Sequence, residues 1–464
     1  MSKPSLSVES PPVVSWSEAF WTWARIAALS FGGPSGQIAV MHRVIVEEKN
    51  WVSEERFLHA LNYCMLLPGP EAQQLAVYLG WLMHRLRGGL MAGGLFILPG
   101  FVSLMLLSIV YALYQQTGIV TAIFLGLKPA VMAVVIEAVW RISRRVLKNR
   151  VMVAIAACAF VAVFFFQLPF PIVVLSAGIL GFFGGIYAPR WFVVVKGHSA
   201  AVSSSHSPPL LPDGIELPHT RPSWRKLLAT VGIGLLIWWG PLVALMLWLG
   251  TEHVFVVEGL YFSRAAMVTF GGAYAVLTYV AQDAVERYHW LAPGEMVDGL
   301  GMAETTPGPL IMVLQFVGFL GAYRLGPTQS PELSPLVCGM IGACISVWVT
   351  FVPCFIWIFA GAPYIEQTRN NKLLSAALSS ITSAVVGCVL NLAIWFALHT
   401  LFGTVSSQRW GWLRILTPQW NTLSGEALLI TVFACVLLFW LRRGMLTTLL
   451  GSMTLGIVLW LLSP

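Results

Sequence analysis

Two Pro-Gly-Pro tripeptides stand inside apolar runs, at Pro68-Gly69-Pro70 and Pro307-Gly308-Pro309. Residues that lipid disfavours surround them: Glu71, Gln73 and Gln74 follow the first, while Glu304, Thr305 and Thr306 precede the second. Proline removes a backbone donor and clashes with the preceding turn, yet suits the first position of a new helix. Each tripeptide therefore predicts a helix that stops and restarts within its run. The fresh N-terminus carries unsatisfied N–H groups and about half a positive charge, which together make an anion site. Gln73 and Gln74 add amide donors at the first break, and Thr305 and Thr306 add hydroxyls at the second. A kink tolerated in a transmembrane helix is the alternative for either break alone; their recurrence favours binding.

Arg25 and Arg264 each precede a Phe-Gly-Gly phenylalanine by six residues, about 9 Å along a helix. A guanidinium matches the paired oxygens of an oxyanion and keeps its proton; the alternative is a structural partner for a carboxylate or for helix carbonyls. Lys128 is a third intramembrane cation. Gly32-Gly33 and Gly271-Gly272 permit backbone conformations closed to other residues, or else close helix packing. For proton coupling, a carboxylate must be able to become neutral on burial. Glu71, Glu137 and Glu304 are the candidates, although Glu71 is also placed to cap its half-helix and Glu137 to pair with Lys128 or Arg141.

Other chemistry finds little support. The seven cysteines are scattered through apolar segments and read as packing residues; His42, His59 and His289 lack metal-ligand spacing. No metal is expected and no cofactor. No phosphate loop or dinucleotide fingerprint occurs, so neither ATP hydrolysis nor a flavin- or haem-dependent reductase is expected, and the protein is read as not an enzyme.

The elements that must position these residues are membrane helices. Of 464 residues, 57% are hydrophobic and 10% charged, against about 25% charged in soluble domains. Runs long enough to cross about 30 Å of hydrocarbon lie at 16–31, 56–83, 89–114, 118–140, 151–167, 170–188, 227–250, 254–270, 296–322, 335–360, 373–402, 426–441 and 444–462. The first twenty residues lack the features of a signal peptide. Threading from a cytoplasmic N-terminus puts the basic loops 84–88, 141–150, 189–226 and 442–443 on the cytoplasmic side. Basic residues confined to such loops make nucleic acid a poor partner. The Ser- and Pro-rich stretch 189–226 reads as a linker between residues 1–188 and residues 227–464, the latter opening on an extra span, 227–250.

The halves repeat. Phe31-Gly32-Gly33 and Phe270-Gly271-Gly272 lie 239 positions apart, and the same offset joins Arg25 to Arg264, Glu47 to Glu286, Trp51 to Trp290 and Pro68 to Pro307. The tryptophans read as interfacial anchors. An odd number of crossings separates the copies, so the second is expected to run inverted, the arrangement of secondary transporters whose substrate site lies where the repeats meet. The expectation is an all-α polytopic membrane protein of about thirteen transmembrane helices, in two inverted-topology homologous halves with broken or re-entrant helices. The segments after each Phe-Gly-Gly, roughly 35–48 and 274–287, are expected to be re-entrant or interfacial.

FGGP with EEKNWVSEERFLHALNYCMLLPGPEAQQLA, and FGGAYAVLTYV with GLGMAETTPGPLI, resemble the paired signatures of the chromate ion transporter family of bacterial inner-membrane proteins, in its long two-domain form. The resemblance covers essentially the whole chain. It implies export of chromate from the cytoplasm, chromate resistance and coupling to the proton gradient, with sulfate as the close analogue. An anion channel, or uptake of sulfate or another tetrahedral oxyanion, remains the alternative. The expected partners are the oxyanion, membrane lipids and the proton gradient, with a homodimer left open.

Overall fold

In hydrocarbon, backbone groups can bond only to one another, so the apolar runs fold into helices. The computed structural model describes residues 14–65, 67–192, 210–211, 218–220, 222–270, 273–292, 294–364 and 372–462. Among them, eight helices are long and apolar enough to cross a membrane: this is an all-α, multi-pass membrane protein. The sheet among these residues is a hairpin of β1 (Val405–Trp410) and β2 (Leu413–Pro418), antiparallel, with Val405 opposite Pro418.

The expected crossing at 16–31 is instead one arm of a helical hairpin. Helix α1 (Trp16–Leu29) starts at Ser15, whose hydroxyl accepts from the Glu18 N–H, and ends at Ser30. Gly32 and Gly33 then take φ values of +86° and +71°, and α2 (Gly33–His42) runs back. Lys49 beyond it meets Glu18 at 2.9 Å, and Arg25 meets Glu48 at 2.7 Å. The stretch 56–83 likewise breaks into α3 (Glu54–Cys64) and the first limb of α4 (Glu71–Tyr114), separated by the proline turn. That limb ends at His84 and Arg85, whose backbones leave helical geometry. The His84 Nε2 lies 2.8 Å from the Val14 carbonyl, so the second hairpin opens beside the first. A Cβ on Gly80 would stand 2.4 Å from the Gly88 carbonyl, and glycine thus lets the two limbs of α4 pack closely.

Helices α5 (Gly118–Val146), α6 (Arg150–Phe164), α7 (Phe170–Tyr187), the single turn α8 (Pro189–Phe192) and α9 (Trp224–Leu249) lead to the second half. There α10 (Val254–Val268) and α11 (Ala273–Gln282) repeat the first hairpin, and α12 (Glu295–Thr305) and α13 (Val313–Gln329) the second. The expected span 296–322 is broken at its proline turn. Gln329 accepts from the Val254 N–H at 2.7 Å, and His253 lies 3.0 Å from the Ser330 hydroxyl, so α13 returns to the start of α10. Helices α14 (Pro335–Gly361), α15 (Lys372–Leu401), α16 (Gly425–Cys435) and α17 (Met445–Leu462) complete the chain.

The second limb of α4 serves as a ruler. It begins where the first-half hairpins open, passes Gly308 at Gly100, and ends with the Tyr111 hydroxyl donating to Asp298 at 2.7 Å. From residue 86 to residue 111 is about 37 Å at 1.5 Å per residue. The hairpins of the two halves meet at their tips beside the middle of this limb. Trp51 and Trp290, expected as interfacial anchors, are instead buried, each within a different core cluster.

Candidate functional site

The tips interlock by exchange. The Gly69 N–H donates to the Thr269 carbonyl at 2.7 Å, and the Gly308 N–H donates to the Ser30 carbonyl at 2.9 Å. Both pairs obey the 239-residue offset. Ser30 and Thr269 end their helices alike, each hydroxyl bonding the carbonyl four residues back, Ile26 at 2.6 Å and Ala265 at 2.7 Å. Glycine is required in both turns: φ is +123° at Gly69 and +108° at Gly308. A Cβ would stand 2.7 Å from the Cys354 Sγ at the first and 3.1 Å from the Gly100 Cα at the second. Cys354 follows Pro353 in α14 as Gly100 follows Pro99 in α4, so the packing is exchanged as well.

The two restarts are unequal. After Pro70 a long helix begins at once, with no side chain capping its N–H groups. Gln73 is 0% exposed, and neither its amide nitrogen nor its oxygen has a partner among the described residues. Gln74, equally buried, donates to the Pro68 carbonyl at 2.7 Å and leaves its oxygen unpaired. Buried amides almost always find partners, so this pair stands out. After Pro309 come only Leu310, Ile311 and Met312, apolar, buried and in a single 3₁₀ turn. Thr305 and Thr306 donate to the Met302 and Ala303 carbonyls at 2.9 and 3.2 Å; their protons close the end of α12. Gln37, which the sequence did not single out, spans the tips by donating to the Gly308 carbonyl at 2.6 Å.

The expected cations are not buried as the amides are. The Arg25 side chain is 51% exposed and pairs with Glu48, and Arg264 is exposed with no ion pair among the described residues. Lys128 meets Asp298 at 3.2 Å, and Asp298 is 2% exposed and also bonded by Tyr111. Glu71 sits at the restart of α4. Glu137 is bridged to Arg141 one helical turn on, the structural pair weighed from sequence. Glu304 is buried and accepts from the Tyr274 hydroxyl, with its second oxygen unpaired. Glu286 is clamped by both terminal nitrogens of Arg414 at 3.0 Å, and Glu47 lies 3.1 Å from His42. Gly271 and Gly272 lie outside the described residues. All seven cysteines are free, and no group of metal-ligating side chains occurs among the described residues.

Sequence reasoning missed Gln37, Tyr274, Asp298 and Glu258. Tyr274 and Gln37 lie four and six residues after the two Phe-Gly-Gly phenylalanines, a spacing that puts them on the returning arm. Glu258 was legible as a lone carboxylate in VFVVEGLYF.

Comparison with known proteins gives a consistent picture. The family described as "Chromate transporter" matches residues 17–182 and 259–457. The chain is 30% identical to a chromate transport protein of Pseudomonas aeruginosa over 391 residues, 82% of this chain and 80% of that one. It is 26% identical to a chromate transport protein of Cupriavidus metallidurans, covering 85% and 86%, and 25% identical to a probable chromate transport protein of Synechococcus elongatus, covering 82% and 85%. No solved structure matches significantly.

Proposed function

This chain belongs to the chromate transporter family, and on that premise we propose that it exports chromate from the cytoplasm as a proton-coupled secondary transporter and so confers chromate resistance. The observation that carries the reading is the restart of α4, where free N–H groups and two buried, underused amides converge beside the exchanged Gly69 turn. A small dianion at the membrane centre must have its hydration shell replaced. Fixed N–H dipoles supply that replacement at no reorganisation cost. The exchange of contacts at a constant offset supports an inverted repeat, in which rocking of one half against the other opens the site alternately to each side.

Arg25 and Arg264 fit a different role from the one read in sequence. A charged side chain exposed at membrane depth is tolerated where it faces a water-filled cavity, so each arginine is proposed to line the vestibule of its own half and draw oxyanions toward the tips. Lys128 is committed to Asp298 and is assigned to structure. Of the three carboxylates expected to carry protons, Glu304 is the best placed, buried and hydrogen-bonded through one oxygen. Sulfate shares the dianion's shape and charge and is the expected competitor.

The test is uptake of labelled chromate into inverted membrane vesicles with an imposed proton gradient. Accumulation abolished by a protonophore and reduced by sulfate is the expected result. Equilibration without accumulation would indicate a channel and overturn the coupled reading.

A further inference from the structure

Helix α10 carries a carboxylate that none of these steps uses. Glu258 is 0% exposed, and it is the one buried carboxylate among the described residues with neither oxygen hydrogen-bonded. Glycines make its space. A Cβ on Gly321 of α13 would stand 2.5 Å from the Glu258 Oε1, and one on Gly342 of α14 would stand 2.7 Å from Oε2. Trp290 closes the same corner, its ring 2.8 Å from that Gly321 position.

No cation pairs with it among the described residues. The Ala322 backbone is directed toward it, but too loosely to count either oxygen as paired. Helix α13 brings Arg324, which is held by Glu295 at 2.6 Å and by the Trp290 carbonyl at 2.9 Å. Helix α14 presents Gly342, Tyr288 stacks on Trp290, and α9 packs with Leu242 against Gly259. On the α10 side, His253 is engaged with Ser330 and Tyr261 stacks on Tyr279. With no exposure and no cation paired to it among the described residues, an ionised carboxylate in this corner would be costly.

A proton can leave only if α10 parts from α13 and α14. Eleven residues further on, about 17 Å along the axis, α10 ends at Thr269, whose carbonyl holds the Gly69 N–H. Motion of α10 therefore reaches the turn that opens the anion site. The matching position of α1, 239 residues earlier, is Ala19, so the first half has no counterpart.

We propose that Glu258 is a second proton-carrying site, closed in this conformation and opened by displacement of α10, which transmits its loading to the Gly69 turn. The proposal rests on the proton-coupled reading above, and its test separates the two. In vesicles containing purified protein, with voltage clamped to zero by potassium and valinomycin, each proton carried per turnover multiplies the limiting chromate accumulation about tenfold per pH unit. E258Q is expected to keep chromate–chromate exchange at the wild-type rate while its limiting accumulation under one pH unit falls about tenfold. Infrared difference spectra between acid and alkaline pH are expected to show a protonated-carboxyl band that E258Q lacks. If E258Q does not reach the membrane, E258A replaces it, since alanine fills the matching position of α1. Wild-type accumulation in the variant, loss of exchange along with accumulation, or no titrating band would each overturn the assignment to Glu258. A wild-type protein that shows no gradient-driven accumulation would overturn the coupled reading, and this proposal with it.

Discussion

Gln73→Met separates a residue kept for its ligand from one kept for its fold. The equivalent position of the second half is Met312, buried and apolar, so the replacement is one this architecture already accommodates. Among the described residues Gln73 leaves two polar atoms unpaired, and burying such an amide costs roughly 1–3 kcal/mol. Removing it should therefore stabilise the unliganded protein by about that amount. With substrate bound, the same amide can donate to a dianion, and a hydrogen bond to a charged group contributes about 1.5–3 kcal/mol. At about 1.4 kcal/mol per tenfold, loss of that bond should raise the KM for chromate roughly 10- to 150-fold. The two effects have opposite signs, which plain packing does not produce. Thermal denaturation of the purified protein without chromate gives the first quantity, and initial rates of vesicle uptake give the second. A variant that melts earlier than wild type and transports with an unchanged KM would refute the assignment. Gln315→Met is the control: that amide donates to the Phe101 carbonyl at 2.9 Å, so its loss should destabilise and leave KM alone.

Gly308→Ala should cost more than Gly33→Ala. Both glycines have positive φ, but a Cβ at Gly33 meets nothing within 4 Å whereas one at Gly308 meets the Gly100 backbone at 3.1 Å. Backbone strain is about 1–3 kcal/mol in either case and overpacking adds about 1–3 kcal/mol only at Gly308; equal melting temperatures would count against the interlocked turns. Lys128→Met should destabilise by about 3–5 kcal/mol by leaving the Asp298 carboxylate buried and unpaired, and adding Asp298→Asn should recover most of the loss in the same melt. Failure to recover would mean that Lys128 acts elsewhere. Arg264→Gln should lower uptake at low ionic strength, with the difference from wild type shrinking as salt screens the vestibule; a salt-independent deficit would place the arginine in the site itself.

Much of this protein was legible in its sequence because the bilayer and proline act locally. Hydrophobic runs must become helices, Pro-Gly-Pro must interrupt them, and a repeat at one offset must produce equivalent elements. Those constraints located the breaks at Pro68 and Pro307 and the amides beside the first. They did not reveal that 16–31 and 56–83 turn back. A run of apolar residues buried in protein has the same composition as one that crosses lipid, and only contacts such as His84 with Val14 tell them apart. Nor does sequence distance indicate which side chains neutralise one another. Arg25 with Glu48 and Lys128 with Asp298 withdrew charges that looked available, while Glu258 and Gln73 emerged among the buried groups left without a partner among the described residues. The sequence by itself determined where helices had to end; tertiary packing decided which of the polar groups at those ends were already satisfied, because satisfaction depends on what the other half brings within hydrogen-bond reach.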